Sequence, residues 1–324
     1  PQAQVDLNNF NITKDDTNAG IYNLSLKDQN YSGDLVLPNV NDIRGQYSDA
    51  TKLVLNKDSN WNDSHFNDVT SLTVSNNGGG KLVANGAWQN AFSGFTKTTN
   101  MDLRGLDVSG VTDMSGLFSN LANLQSVDLT GWNTKNVANL KDMFANDDEL
   151  ADIRGLNDLD LTSAVDLSGM FGGDSKLTSF DFSNVKTSPS IVNMAGMFRG
   201  VGAQSIDLSN FNTQNVTNMG SLFMQATNLN QVTGLSADKT AKVANMSNMF
   251  SGTALTSFDL NNLSGASAQD LSGMFSSMSA LTSLDHLAQF GQRNLNNGTN
   301  QVTNLSNFVN GDSALTSLDL SGFT

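Results

Sequence analysis

The sequence predicts an α/β solenoid, a stack of similar coils in which each coil contributes a strand to one side and a short helix to the other. Two observations predict it. An apolar phrase recurs along the chain, as in residues 216–223 and 243–250, and a second phrase with strand-like alternation follows each copy after about ten residues. Because one unit is too small to bury its own apolar side chains, neighbouring units must pack against each other.

The first phrase has apolar residues at positions i, i+3, i+6 and i+7, as in Val216, Met219, Leu222 and Phe223. This spacing predicts one face of a short helix on the convex side of each coil. A ninth copy has Val309 at its end, 34 residues after the eighth, so an insertion precedes it. The first eight copies end on Phe92, Phe118, Phe144, Phe171, Phe198, Phe223, Phe250 and Phe275, in steps of 26, 26, 27, 27, 25, 27 and 25 residues.

The second phrase reads L-T-S-F-D-F at residues 177–182 and L-T-S-L-D-L at residues 315–320. It has the L-x-x-L-x-L form of a leucine-rich repeat strand, and the spacing falls within the 20–29 residues of such repeats. Alternation along the strand places Phe180 and Phe182 in the core and Asp181 outside. The sequence therefore predicts about nine coils of 25–27 residues with a parallel sheet on the concave side.

The chain before the regular copies is less periodic. We expect residues 1–33 to form a β-rich N-terminal cap, residues 34–84 to form degenerate leading repeats, and residues 85–324 to form the array. A separate small domain is the competing interpretation of the leading segment. Since the chain opens without Met and ends just after a repeat strand, we expect a piece of a longer protein whose anchor lies elsewhere.

Composition excludes several classes of function. The chain has 17 Lys and Arg against 31 Asp and Glu, a net charge of −14, which argues against a nucleic-acid partner. It has no cysteine, which excludes a disulfide framework and a cysteine nucleophile. No apolar run is long enough to span a membrane. The acids recur with the repeat instead of converging on one cleft, so we predict no enzyme and no cofactor, with a carbohydrate-active enzyme as a remote alternative.

One aspartate per strand defines what we call the acidic strip. Its members can hydrogen-bond backbone groups and set the repeat geometry, or present a surface to a cationic or polyhydroxylated ligand. Calcium is a third interpretation, since carboxylates on neighbouring parallel strands lie about 4.8 Å apart. We expect such close like charges to raise each other's pKa. The strip comprises Asp102, Asp128, Asp181, Asp207, Asp259, Asp285 and Asp319, interrupted by Arg154 and Thr233.

Two regions are the predicted ligand-binding candidates. The first is the acidic strip, above all at Asp181, Asp207, Asp259 and Asp285. The second is the insertion at residues 285–300, which carries Phe290 and Arg293, because insertions in solenoids form loops on one face and often on the binding face. No catalytic or metal-binding residue is predicted, and the recurring methionines are assigned to the core.

Residues 208–219 read L-S-N-F-N-T-Q-N-V-T-N-M, and this phrase resembles the BspA-like leucine-rich repeat surface proteins found in lactobacilli, other Gram-positive bacteria and mycoplasmas. The resemblance covers roughly residues 85–324. It implies a secreted, cell-wall-attached adhesin that binds host mucus, mucin, extracellular matrix protein, glycan or other bacterial surface proteins, with no direct membrane insertion and no enzyme chemistry. The family shares no ligand-binding residues. A structural spacer or stalk that presents another domain is the alternative.

Overall fold

The computed structural model describes residues 4–58 and 60–323, so the outermost residues of the predicted cap and of the predicted array lie outside the described residues. The regular elements of the described chain are mainly short strands, and most of them pair in parallel. Two α-helices occur in this part of the chain, α1 (Val40–Ile43) and α2 (Leu287–Arg293). Short 3₁₀ turns lie at Leu7–Asn9, Asp63–His65, Asn77–Gly79, Leu156–Asp158, Ala237–Lys239 and Leu260–Asn262.

The leading strands belong to the same sheets as the repeats that follow. One five-stranded sheet has the order β1-β2-β4-β6-β8, in which β1 is antiparallel to β2 and every other pair is parallel. Strand β1 therefore closes one end of an otherwise parallel stack. These strands are β1 (Phe10–Lys14), β2 (Ile21–Leu26), β3 (Ser32–Leu37), β4 (Lys52–Leu55), β5 (Asp68–Val74), β6 (Leu82–Ala84), β7 (Asn100–Asp102) and β8 (Leu106–Asp107).

A second five-stranded sheet has the order β10-β9-β7-β5-β3 and is parallel throughout. Beyond it the strand side continues as short parallel pairs, β11 with β12, β13 with β14 and β15 with β16, and β17 and β18 form a small hairpin. Mostly parallel strands with few helices are consistent with a repeat solenoid. The remaining strands are β9 (Ser126–Asp128), β10 (Asp152–Arg154), β11 (Asp160–Leu161), β12 (Lys186–Thr187), β13 (Ser205–Asp207), β14 (Gln231–Thr233), β15 (Ser257–Asp259), β16 (Ser283–Asp285), β17 (Leu295–Asn296) and β18 (Thr299–Asn300).

The predicted convex helices are wrong, because the first phrase forms turns. At residues 216–223, alternate amides donate to the next coil: Met219 N to Asn245 O at 2.9 Å and Phe223 N to Met249 O at 2.9 Å. Ser221 lies between them with φ of +58°, in the left-handed region. A helix needs right-handed dihedrals and keeps its amides for its own carbonyls. The inter-coil bonds therefore replace the helix.

These turns are joined by a run of single parallel bridges that we call the turn ladder. Every member is Asp or Asn, and its side-chain oxygen accepts the N–H two residues on, as Asn218 Oδ1 does from Gly220 at 2.9 Å. No two aspartates are neighbours in the ladder, which avoids repulsion between carboxylates at strand spacing. The bridges link, in order, Asp113, Asn139, Asp166, Asn193, Asn218, Asn245, Asp270 and Asn304.

The core is a column of phenylalanine rings between the turn side and the strand side. Neighbouring rings lie nearly parallel, with centroids 5.2 Å apart for Phe118 and Phe144 and 5.7 Å apart for Phe144 and Phe171. Both Phe171 and Phe223 are completely buried, as predicted. In the last copy, Val309 is only partly buried and Phe308 packs edge-on against Phe275.

Candidate binding groove on the strand side

The structure aligns much of the acidic strip in the predicted register. Asp102 lies opposite Asp128, and Asp259 lies opposite Asp285, on adjacent parallel strands. Arg154 and Thr233 occupy the interrupting positions. Residues 177–182 and 315–320, which carry Asp181 and Asp319, form no paired strand, so the strip is continuous only in part.

The expectation that strip carboxylates raise each other's pKa is wrong. Hydrogen bonds from the Ser183 side chain and backbone N–H lower the pKa of Asp181, and the Ser209 N–H does the same for Asp207. In each case the carboxylate accepts the amide two residues on at 2.9 Å. These donors stabilise the charged form more than desolvation disfavours it, and no neighbouring carboxylate among the described residues contributes to either shift. Both carboxylates are therefore ionised at neutral pH.

An arginine neutralises the strip at its N-terminal end. Arg104 lies 2.7 Å from an oxygen of Asp102 and 3.4 Å from one of Asp128. Partial burial raises the pKa of Asp102, but the hydrogen bonds from Arg104 outweigh it and the pKa lies below its usual value. Arg154, which interrupts the strip, lies 3.2 Å from Asp152, and its charge also lowers the pKa of Asp102. The carboxylates without a basic partner therefore lie further along the chain.

A polar depression opens on the strand side around Asp181 and Asp207. Its volume is about 400 Å³, and a second depression of about 460 Å³ adjoins it and shares Ser209 and Asn210. We call the two together the strand-side groove. It is lined by Phe180, Asp181, Phe182, Ser183, Asp207, Ser209 and Asn210, and then by Thr187, Phe211, Asn212, Gln214, Asp238 and Lys239.

Two aromatic residues distinguish the coil at which the groove opens. Phe180 and Phe182 stack on each other with centroids 5.6 Å apart, in positions that hold Val127 and Leu129 in an earlier coil. Two large rings fill more space than Val and Leu, which disfavours the regular packing of this strand. Residues 177–182 pair with neither β10 nor β13, and Phe180 stays partly exposed, whereas Val127 is 1% exposed.

The groove combines carboxylates, hydroxyls, amides and one aromatic face. Asp207 Oδ2 also accepts the Ser209 hydroxyl at 3.1 Å, and the Asn210 amide donates to the Phe182 carbonyl at 2.8 Å, which leaves its Oδ1 as an acceptor. The nearby Ser236 hydroxyl lowers the pKa of Asp238, so a third charge lies in the groove beside Lys239. Within the described ranges, no group of three or more His, Asp or Glu side chains is placed to hold a metal ion.

The insertion does not present its predicted residues to a ligand. Phe290 is completely buried on α2, and its ring lies 2.6 Å from where a Cβ on Gly265 would be. The Arg293 guanidinium donates to the carbonyls of Leu260 at 2.8 Å and Ser264 at 2.8 Å. Both residues hold α2 against the preceding coil. The prediction that they contact ligand is therefore corrected.

Several groove residues were not predicted. Asn210, Asp238 and Lys239 follow the strand phrase or lie in a neighbouring loop, and nothing in the repeat distinguishes them. Phe180 was assigned to the core, although the pair of aromatics in L-T-S-F-D-F was a signal that this strand differs from its neighbours. Of the predicted candidates, Asp181 and Asp207 line the groove, while Asp259 and Asp285 lie outside it. Asp259 instead accepts from His286 Nδ1 at 2.8 Å.

The parallel strands, the turn ladder and the aromatic column together define a repeat protein. The family described as "Mycoplasma protein of unknown function, DUF285" matches residues 87–192, 165–287 and 192–321. These overlapping matches cover most of the chain, and the chain belongs to this family. No curated protein sequence matches it significantly.

Two solved structures are similar to the chain. A leucine-rich repeat protein from Bacteroides ovatus ATCC 8483 is 14% identical, covering 98% of this chain and 82% of its own, with a TM-score of 0.42. A leucine rich cell surface protein from Faecalibacterium prausnitzii A2-165 is 12% identical, covering 99% of this chain and 83% of its own, with a TM-score of 0.34. None of the helices in the described residues has the length and hydropathy needed to cross a bilayer.

Proposed function

We propose that the chain is a secreted, cell-surface binding module, an adhesin that recognises host mucus, mucin glycans or extracellular matrix protein through the strand-side groove. The observation that carries the proposal is the groove itself, in which Asp181 and Asp207 lie beside a partly exposed Phe180. Carboxylates bind sugar hydroxyls and cationic side chains, and an aromatic face packs against a sugar ring or a cation. No catalytic role is proposed.

The net charge of the protein restricts the class of ligand that we propose. With a net charge of −14, its field attracts cationic segments and repels polyanions, and the effect weakens with salt. Neutral glycans and basic protein segments, including those of other bacterial surface proteins, are therefore favoured over sulfated or sialylated chains. The same field disfavours nucleic acid. In this proposal the attachment is to the cell wall and involves no membrane insertion by this part of the chain.

The test compares two matched substitutions, Asp207→Asn and Asp319→Asn. Both aspartates are outward-facing and accept an N–H from a serine two residues on, but only Asp207 lies in the groove. Loss of one charged hydrogen bond, about 1.5 kcal/mol, should weaken binding about tenfold in Asp207→Asn. Binding of Asp319→Asn should be unchanged. The measurement is saturation binding to immobilised mucin, matrix proteins and a glycan array, and equal affinities would contradict the proposal.

A structural spacer is the second candidate function. It is favoured by the observation that the strip aspartates satisfy their own backbone, as Asp181 does with Ser183 and Asp207 with Ser209. Side chains committed to local turns can stabilise a stalk without meeting any ligand. Absence of saturable binding to every ligand on the array would support the spacer.

A further inference from the structure

Two aspartates that do not belong to the acidic strip are buried inside the array. Asp147 and Asp174 each follow a ring of the aromatic column by three residues, after Phe144 and Phe171, and both are 0% exposed. Burial of a carboxyl group is costly and needs a compensating arrangement. Most other coils hold apolar residues at this position, including Leu121, Val201, Ala226 and Met278, while the coil that ends on Phe250 has Thr253 and the last coil has Asp312.

The two aspartates link three successive coils. The Leu121 N–H donates to Asp147 Oδ1 at 2.8 Å, and the Asp147 N–H donates to Asp174 Oδ1 at 2.9 Å. Where the next coil has no aspartate, the same amide bonds within its own coil, as Val201 N does to Phe198 O at 3.3 Å. Where the next coil supplies a buried carboxyl, the amide therefore bonds to that carboxyl and no longer to a carbonyl of its own turn.

The second oxygen of each carboxyl has no partner. Oδ2 of Asp147 and Oδ2 of Asp174 are buried and unbonded, so each group receives a single amide donor. The charged groups that face them are Asp148, each other and, for Asp174, the exposed Arg199. Three of these four are acids, and the nearby Lys176 is already paired with Glu149.

This environment suits a neutral carboxylic acid better than a carboxylate. In the neutral acid, Oδ1 is the carbonyl oxygen that accepts the amide, and Oδ2 carries the proton. Burial raises the pKa of Asp147 to about 9 and raises the pKa of Asp174 well above its ordinary value. Neighbouring negative charges act in the same direction.

We propose that Asp147 and Asp174 form an acid latch between three coils, closed while both carboxyls are protonated and opened when they lose their protons to water. An ionised pair needs solvation that the closed core cannot supply. Water must then enter between the coils, at the level of the Phe144 and Phe171 rings. The array is therefore most stable at acidic pH, and the contacts between these three coils weaken as the pH rises.

The direction of the pH dependence follows from proton linkage. The folded state binds these protons more tightly than the unfolded state, in which an aspartate has a pKa of about 3.9. The stabilisation is fully present below that value and is lost as the pH rises towards the folded pKa, which is about 9 for Asp147. Exposed strip carboxylates such as Asp181 and Asp207 have lowered pKa values. The stability that they contribute is therefore lost as the pH falls, which is the opposite direction and a more acidic range.

The first test is thermal melting of the whole chain from pH 5 to pH 9 at constant ionic strength. In the double variant Asp147→Asn/Asp174→Asn, each side chain keeps an oxygen acceptor but cannot ionise. The wild-type Tm should fall with rising pH, and the fall should be smaller in the variant by about 5 °C or more. A control, Asp15→Asn/Asp319→Asn, removes two carboxylates whose pKa is lowered and should keep the wild-type slope. Equal slopes in all three proteins would overturn the proposal.

A second measurement does not depend on how the double variant folds. Infrared spectra of the wild type at pH 7 should contain the C=O stretch of protonated carboxyl groups, and Asp147→Ala and Asp174→Ala should each weaken it; Ala226 shows that alanine is accommodated at this position. Hydrogen exchange at the Leu121 and Asp147 amides, corrected for intrinsic rates, should accelerate with pH. Absence of the protonated band at pH 7 would contradict the latch.

Discussion

The same side chain has opposite acid–base behaviour at different places in this array. Asp207 faces water and accepts the Ser209 N–H, which lowers its pKa. Asp147 also accepts a backbone N–H, but it has lost all contact with water, and burial raises its pKa. Since both receive an amide, solvation decides the difference.

Glycine at Gly234 should be far less replaceable than glycine at Gly131. Both have left-handed φ, +88° and +86°, but a Cβ on residue 234 would lie 2.2 Å from the Ser209 nitrogen, while one on residue 131 would meet nothing within 4 Å. Gly131→Ala should cost about 1–2 kcal/mol, the price of the left-handed backbone alone. Gly234→Ala should cost roughly twice that or more, because backbone must also move. Urea unfolding of the two variants measures this, and equal losses would show that the close contact relaxes freely.

At the scale of the element, one coil is stabilised by its ring in the aromatic column and by its amides to the next coil. Phe171 contacts Phe144 and Phe198, each with centroids 5.7 Å away, so it belongs to two interfaces at once. In a nearest-neighbour array, the interfaces with adjacent coils contribute to stability in addition to each coil's own contacts.

Removal of one ring should therefore be costly. Phe171→Ala should lose about 3–5 kcal/mol, as expected for emptying a buried aromatic site. Asp181→Asn should lose less than about 0.5 kcal/mol, because its side chain is exposed and asparagine can accept the same Ser183 amide. Chemical denaturation followed by circular dichroism compares the two. If both variants lost the same amount, the assignment of Phe171 to the inside would be wrong.

At the scale of the whole molecule, the repeat makes coils interchangeable for folding but not for binding. The turn ladder passes from Asn193 to Asn218 and from Asn245 to Asp270 with the same parallel bridge. After a deletion between equivalent positions, the coils on either side can still pair with each other. The free energy of unfolding should fall by about the contribution of one coil.

Two deletions of one coil each test this separation. Deletion of residues 193–217 removes Asp207, Ser209 and Asn210 from the groove, while deletion of residues 113–138, one coil between the bridged Asp113 and Asn139, leaves every groove residue in place. Both variants should fold with cooperative melts and the circular dichroism of the parent. Only the first should lose binding to the ligand found on the array. Binding retained after the first deletion would move the site away from the groove.

Much of the architecture was predictable because it repeats. The steps between Phe92 and Phe275 define parallel coils with a buried aromatic column, and the alternation in L-T-S-F-D-F places Asp181 outside and Phe182 inside. The period and the alternation of apolar and polar residues are local properties of the sequence, so they can be recognised without knowledge of contacts between coils. The family also follows from the repeated phrase over residues 87–321.

Other features depend on contacts between coils, which no single repeat contains. The turn segments are not helices because their alternate amides bond to the next coil, at a left-handed residue such as Ser221. Phe290 is buried because Gly265, 25 residues earlier, leaves room for its ring. The groove opens at the coil where Phe180 and Phe182 occupy positions that hold smaller apolar residues in an earlier coil. Sequence period determined the stack, and only the tertiary packing decided which carboxyls are hydrated, which are buried and where a ligand has room.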